Sequence, residues 1–334
     1  MNYRYLGASA LKVSPLTLGT MMFGDATDEE QSHRIIASAR ERGINSIDTA
    51  DVYNGGKSEE VVGRALKADR DKWVLATKLA NAGGPGPNER GLSRKWIFQS
   101  VEASLRRLGT DYLDIVYMHR EIPDTPLSEA VRALGDLVRQ GKIRYIGVSN
   151  FKGWRIAQVA YLCDQFGIDR PAASQPLYNL VSRAAENEQL PAAAHYGLGV
   201  ISYSPLARGI LTGKYLPDTA PPADSRVGRN DRRIQQTEWR PESLEIAQKI
   251  KAHAEARGTT AADFSLAWVL NNQMVSSAIV GPRTMEHWEA YLRAMDVSLT
   301  AEDEAFVDSL VAPGHHSTHG YIDPNYPVEG RVSR

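Results

Sequence analysis

An α/β barrel of eight parallel strands, each leading into a helix, is the fold this sequence predicts, and three observations predict it. Short apolar runs alternate with stretches of helical period along most of the chain. Alternation of that kind argues a parallel sheet. The runs number eight, the count that closes a (β/α)8 or TIM barrel. Glycine recurs where a helix gives way to the next run, the expected left-handed cap.

Two short segments come first, Tyr3 to Leu6 and Leu11 to Val13, either side of GASA, and they predict an N-terminal β-hairpin. The first barrel strand is Leu16–Gly19. Thr27 with Glu30 has the form of a capping box ahead of the helix carrying Ile35 and Ile36. Gly43 then precedes the strand Ile44–Asp48, and Trp73–Lys78 is the third strand. Ile97, Val101, Leu105 and Leu108 recur at helical spacing between Ser93 and Gly109, before the strand Tyr112–His119. Leu127, Val131, Leu134 and Val138 line the next helix, and Gly141 leads into Ile143–Ser149. Gly167 precedes Ala172–Gln175, Gly197 precedes Gly199–Ser204, and the last strand is Ser277–Gly281. A long loop after strand 7, residues 207–240, and a tail without period, residues 313–334, interrupt the pattern. Long loops in compact domains are usually functional or disordered. No linker divides the chain, so residues 1–334 are expected to form a single domain.

Composition excludes several classes. Apolar residues make up 42% and charged residues 24% of the 334, the balance of an ordinary water-soluble protein. The net charge of −1 favours neither nucleic acid nor an anionic membrane. The single cysteine, Cys163, rules out an intrachain disulfide and a cysteine zinc site. The opening MNYRYLGASALKV lacks the apolar core of a signal peptide, and no run approaches a membrane span, so a cytoplasmic location is expected. His315, His316 and His319 lack spaced partners, so no metal site is expected.

Barrel active sites lie at the carboxyl ends of the strands. Here those ends read Thr20, Asp48, Lys78, His119, Ser149–Asn150, Gln175, Tyr203–Ser204 and Gly281. Singly, such residues are turn formers, helix caps or solvated side chains. A barrel needs no polar residue there for stability, so the set as a whole points to chemistry. Tyr53 follows Asp48 within the loop DTADVYNGG. A tyrosine hydroxyl ionises near pH 10 in water, too high for acid–base work near neutrality. Lys78 within hydrogen-bond reach favours the phenolate, Asp48 holds Lys78 charged, and His119 can polarise a carbonyl oxygen. Asp48, Tyr53, Lys78 and His119 are therefore the candidate catalytic residues for delivering a proton to a carbonyl.

The stretches GINSIDTADVYNGGKSEEVVGRAL, VLATK, YMHR, GKIRYIGVSNF, SQPLYN and ISYSPLARGILTGKY carry a resemblance. The chain resembles the aldo-keto reductases from end to end. It is more similar to the bacterial reductases and the potassium-channel β-subunit-like branch than to the aldose reductases, because it has the LARGILTGKY loop. The resemblance implies that Asp48, Tyr53, Lys78 and His119 form a catalytic tetrad, and that NADP(H) binds without a Rossmann fold. In agreement, no GxGxxG follows a strand, and the GGPGP of residues 83–87 is spoiled by its prolines. The resemblance also implies Ser149, Asn150 and Gln175 against the nicotinamide carboxamide and Tyr203 stacked on its ring. Ser204, Leu206, Gly209 and Lys214 match the loop over the pyrophosphate, and Arg283 in GPRT matches the position that meets the 2′-phosphate. Arg226 is a second candidate phosphate contact, and Thr20, Asp48, Gly281 and His287 complete the expected cofactor set. One departure lies after GPRT, where the branch carries Gln and then Glu–Asn around the adenosine and this chain has His287, Ala290 and Tyr291.

Two other readings compete. The channel β-subunit relatives use the fold as a partner protein, and their counterpart of His119 is typically Asn. A cofactor-binding regulatory subunit with weak reductase activity is thus an alternative. An aldolase or isomerase would use Lys78 as a Schiff base, which the DTADVYNGG context opposes. The expected partner is a small-molecule carbonyl substrate; a homo-oligomer is compatible with the sequence, and nucleic acid and membrane are not expected. Substrate contacts come from loops. Candidates are Met21, Met22 and Phe23 in the first loop, Arg120 beside His119, and Tyr321 and Tyr326 in the tail, which is expected either to pack over the mouth or a subunit contact or to lie pinned on the barrel's outside.

Overall fold

The structure, a computed structural model, describes residues 1–123, 125–223 and 225–327. Two antiparallel strands come first, β1 (Arg4–Tyr5) and β2 (Lys12–Val13), as the predicted hairpin. The barrel strands are β3 (Leu16–Gly19), β4 (Ser46–Asp48), β5 (Val74–Leu79), β6 (Leu113–Met118), β7 (Ile143–Ser149), β8 (Ala173–Gln175), β9 (Gly199–Tyr203) and β10 (Val275–Val280). They close in chain order, with β10 pairing both β9 and β3, every pair parallel. Most of their residues are buried, as parallel strands covered on both faces must be. The fold is the (β/α)8 barrel.

The chain forms two compact units. The first comprises residues 1–177, 187–203 and 272–290. It holds the whole barrel with α1 (Glu29–Glu41), α2 (Lys57–Leu66), α3 (Arg94–Leu108), α4 (Leu127–Arg139), α5 (Gly153–Phe166) and α6 (Gln189–Tyr196). The second comprises 178–186, 204–271 and the residues from Tyr291 onward, with α7 (Arg232–Gln236), α8 (Pro241–Ala256) and α9 (Ala261–Asn271). α10 (Met285–Arg293) begins in the first unit, and α11 (Ala301–Leu310) lies in the second.

Local chemistry explains the element ends. Gly109, Gly167 and Gly197 cap α3, α5 and α6 with φ of 62°, 60° and 81°. The cap of α1 is one residue later than predicted. Asp28, not Thr27, accepts from the backbone of Gln31, while the Thr27 hydroxyl donates to the carbonyl of Arg283 at 3.1 Å. Asp28 places a carboxylate at the positive end of the helix dipole, beside Glu29 and Glu30 of the first turn. On α4 the buried face takes Leu137, and the predicted Val138 is only partly covered.

The hairpin seals one region of the barrel core. Leu6 and Val13 are fully buried and cluster with Val74, Ala76, Ile115, Tyr117, Ala173 and Ile201. The turn between them approaches α6 through Gly7, whose φ is +60° and whose Cβ, if present, would lie 2.2 Å from the carbonyl oxygen of Gly197. Gly7→Ala therefore meets backbone that cannot give way, in a conformation that disfavours a side chain. Overpacking and left-handed strain together predict a loss of about 2–4 kcal/mol. Chemical denaturation of the variant measures it, and an unchanged midpoint would show that the hairpin docks loosely.

The second unit contains the end of the described chain. Residues 313–327 add no helix or strand beyond one bridge between His316 and Ser182. The backbone of Arg183 donates to His315 O at 2.9 Å, and Arg233 donates to Asp323 at 2.8 Å. The ring of Tyr321 lies under the Arg240 guanidinium at 3.9 Å, and its hydroxyl donates to Gln236 O at 3.1 Å. The rest of the predicted tail, residues 328–334, lies outside the described residues.

Candidate active site

The strand ends of the barrel bring the predicted tetrad together. Asp48 is the last residue of β4 and Lys78 the penultimate residue of β5, next to it in the sheet. Both are almost wholly buried, at 3% and 1% exposure. Lys78 Nζ donates to Asp48 Oδ1, to the carbonyl of Thr49 at 2.8 Å and to Tyr53 Oη at 3.1 Å. Those are all three protons of an ammonium. Burial alone would push the lysine down, but Asp48 and Tyr53 outweigh it and hold Lys78 above its ordinary value. Burial also pushes Asp48 up, against the pull of Lys78 and of Gln175, whose amide donates to Asp48 Oδ2 at 2.9 Å. The pair is best described as a charged lysine facing a carboxylate bonded on both oxygens.

Tyr53 opens a tight turn, Tyr53–Gly56, in which Asn54, Gly55 and Gly56 all have positive φ. Asn54 Nδ2 donates to Met21 O at 3.0 Å and Phe23 O at 2.8 Å, so the loop after β3 and the Tyr53 turn are one structure. Lys78 Nζ also lies 4.8 Å from the centre of the Tyr53 ring. An ammonium at both the ring and the hydroxyl favours the phenolate.

His119 follows β6, and its ring meets that of Tyr53 edge-on at 6.2 Å. Its Nδ1 lies 2.9 Å from Asn81 Nδ2. An amide nitrogen only donates, so Nδ1 accepts and the neutral ring carries its proton on Nε2. Burial, then Lys78 and Arg120, push the imidazole down to about 3. His119 is therefore a neutral hydrogen-bond donor across the physiological range and not an imidazolium acid. Asn81 is a site residue that the sequence did not reveal. The only local sign is its place just after β5, behind Ala80, whose φ is 121°.

The other predicted residues of the first unit fall as follows. Thr20 is fully buried, and its hydroxyl bonds to Asp48 O at 3.1 Å and Ser58 Oγ at 2.8 Å, bracing the backbone of Asp48. Ser149 and Gln175 are register partners at the ends of β7 and β8, with Ser149 Oγ donating to Gln175 O at 3.0 Å. Asn150, with φ 58°, donates to His119 O at 3.0 Å and accepts from the Tyr203 hydroxyl at 2.7 Å. Gly281 is open, Arg283 is half-exposed, and His287 is exposed in the first turn of α10, where its backbone donates to Thr284 Oγ1 at 3.2 Å. Met21, Met22 and Arg120 are half-buried, and Arg120 Nε is buried without an acceptor among the described residues. Phe23, the third substrate candidate of that loop, is fully buried.

In the second unit, Ser204, Ala207, Arg208 and Gly209 all have positive φ. Leu206 is buried, and Ser204 O accepts from Asn179 at 3.0 Å. Lys214 Nζ would be 3.7 Å from a Cβ at Gly209. Arg208 donates to the buried carboxylate of Glu238 at 3.0 Å. Arg226 has Asp231 at 3.6 Å, and burial, then the neighbouring Arg208, push it below the usual arginine value. Each guanidinium thus has a carboxylate neighbour as well as the other guanidinium. Tyr321 and Tyr326 lie in this unit, Tyr321 with the contacts given above.

Among the described residues no helix is long and apolar enough to cross a membrane. The model of the Aldo/keto reductase family matches residues 15–312. The chain is 37% identical over 303 residues to a protein of Arabidopsis thaliana named as a probable voltage-gated potassium channel subunit beta, covering 89% of this chain and 92% of that one. It is 36% identical to a rice protein of the same name, covering 96% of this chain and all of the relative. It is 37% identical over 333 residues to an uncharacterized oxidoreductase of Bacillus subtilis, YrpG, covering 96% and 99%.

Proposed function

The chain belongs to the aldo/keto reductase family, whose members are oxidoreductases, and from that membership we propose that it reduces aldehydes or ketones to alcohols with NADPH, using Tyr53 as the general acid. The observation that carries the proposal is the ammonium of Lys78, held between Asp48 and the Tyr53 hydroxyl with His119 beside it. The residues present fit a nicotinamide cofactor by their chemistry. Ser149, Asn150 and Gln175 form an adjoining hydroxyl and amide set suited to a carboxamide, Tyr203 offers a ring beside them, and Arg283 and Arg226 offer charge for phosphate. When bound, the reduced nicotinamide supplies the hydride. The protein's own part is the proton and the placement of the carbonyl.

Tyr53 Oη accepts from Lys78, so its own proton is the one available to a substrate oxygen. His119 Nε2–H donates to the same oxygen and draws off charge as it develops. Asp48 keeps Lys78 charged, so the phenolate left behind is stabilised until water restores the proton. Ser204, Leu206, Gly209 and Lys214 are proposed for the pyrophosphate, and Thr20, Gly281 and His287 for the rest of the cofactor. Met21, Met22, Arg120, Tyr321 and Tyr326 are proposed for the substrate side.

A second reading is favoured by the names of the two plant relatives. In it the chain is a cofactor-binding partner subunit with weak reductase activity. One experiment separates the two. Purified protein with NADPH and a panel of aliphatic, aromatic and 2-oxo-aldehydes is expected to turn over repeatedly, with consumption of NADPH absorbance matching alcohol formed. Tight cofactor binding with no more than one turnover across the panel would favour the subunit reading.

A further inference from the structure

Behind the Tyr53 turn lies a polar cluster that the proposed chemistry does not use. Asp51 stands two residues before Tyr53, and its backbone donates to Lys78 O at 3.2 Å. Its Oδ2 accepts from Ser100 Oγ on α3 at 2.9 Å. Its Oδ1 is shut from solvent and makes no full hydrogen bond among the described residues, the backbone N–H of Val52 giving the carboxyl only a weak further pull toward the ionised form. Glu59 on α2 is wholly buried; its two oxygens accept from Thr77 of β5 and from Arg107 of α3, each at 2.6 Å. Arg107 also donates to Ser104 at 3.3 Å and fills the space above Gly56, where a Cβ would lie 2.8 Å from its Cδ. Ser100, Ser104 and Arg107 thus form one stripe of α3 that grips the turn at Asp51 and at Gly56, with Tyr53 between the two grips.

The charges facing this cluster are the carboxylate of Glu59 from α2, the guanidinium of Arg107 from α3 and the ammonium of Lys78 from β5. Arg107 is taken by Glu59, and Lys78 by Asp48, Thr49 and Tyr53. Arg107 still pulls on Asp51 across the cluster, but less than Glu59 repels it. A carboxylate oxygen without a full hydrogen bond, away from water and near another carboxylate, is costly unless it is protonated.

We propose that Asp51 is a positioning residue for Tyr53, neutral when the turn is seated and releasing the turn when it ionises. The proposal rests on the reading of Tyr53 as the general acid. Burial, reinforced by Glu59 and opposed by the Ser100 hydrogen bond, the charge of Arg107 and the backbone of Val52, raises the Asp51 carboxyl to about 7. An ordinary aspartate ionises near 3.9. Between those values the unfolded chain gives up a proton that the folded protein keeps, so stability falls as pH rises through that window and levels off above about 7. The seated turn is then lost near neutrality, well below the pH at which Lys78 would release its proton.

The test is the pH profile of kcat at saturating NADPH and aldehyde, with thermal midpoints over the same range, for the wild type, Asp51→Asn and Ser100→Ala. In the wild type, kcat is expected to fall as pH rises through about 7. Asn is neutral at every pH, so Asp51→Asn should lose that limb and gain thermal stability relative to the wild type as pH rises. Ser100→Ala removes a bond that favours the ionised form and should move the limb to higher pH; it also serves if Asp51→Asn does not fold. A wild-type limb persisting in Asp51→Asn, or an unmoved limb in Ser100→Ala, overturns the proposal. If no variant reduces any carbonyl, the functional reading fails, while the thermal midpoints still decide whether Asp51 titrates near neutrality.

Discussion

Replacing Tyr53 by phenylalanine is expected to lower kcat by about two to four orders of magnitude, the usual worth of a positioned general acid. The ring would keep its edge contact with His119 at 6.2 Å and its place beside Lys78 at 4.8 Å. Only the oxygen is lost, so the change isolates the proton step. One proton of the Lys78 ammonium loses its acceptor in a buried place, which predicts a further stability loss of about 1–3 kcal/mol. Cofactor affinity should stay within a few-fold, because no predicted cofactor group is altered. Stopped-flow turnover, NADPH titration and denaturation separate the three effects. Near wild-type turnover in Tyr53→Phe would sink the proposed mechanism, and a loss matched by a collapse of cofactor binding would point to a disordered turn.

The meeting of Asp48, Tyr53, Lys78 and His119 was legible because a barrel turns sequence phase into position. Asp48, Lys78 and His119 each close a strand-like run, and parallel neighbours necessarily bring such ends to one mouth. Glycine caps were legible for a local reason, since a left-handed residue after a helix excludes most side chains. What escaped is what depends on distant partners. Asn81 sets the tautomer of His119 from 38 residues away, and Ser100 reaches Asp51 across 49. No local pattern carries such pairings. Met21, Met22 and Phe23 form one apolar run, and nothing local in it distinguishes the fully buried Phe23 from its two half-buried neighbours. The start of β10 at Val275, two residues before Ser277, was masked by the polar stretch ahead of it, where no glycine marks the boundary. The second unit was not legible at all, because it is assembled from three separate stretches of chain whose ends coincide with no linker.

Arg283→Ala is expected to weaken NADPH binding by about 1.5–3 kcal/mol, the scale of a hydrogen bond to a charged group, and to leave NADH almost unchanged. That is a rise in Kd of roughly 10–150-fold. The residue follows β10 directly after Gly281 and Pro282, and its backbone is pinned by the Thr27 hydroxyl at 3.1 Å. A fixed backbone with a half-exposed guanidinium can present a rigid fork to a phosphate at small entropic cost. The next turn is less conventional. His287, Ala290 and Tyr291 stand where the family resemblance leads one to expect Gln and then Glu–Asn, so these positions offer the adenine different chemistry. The 2′-phosphate should therefore account for most of the discrimination, with little help from the adenine ring. Fluorescence titration of wild type and variant with both cofactors reads this directly, and a salt series adds a check, since a contact to phosphate weakens as ionic strength rises. Equal losses for NADPH and NADH would show that Arg283 holds the loop in shape and that cofactor choice is decided elsewhere.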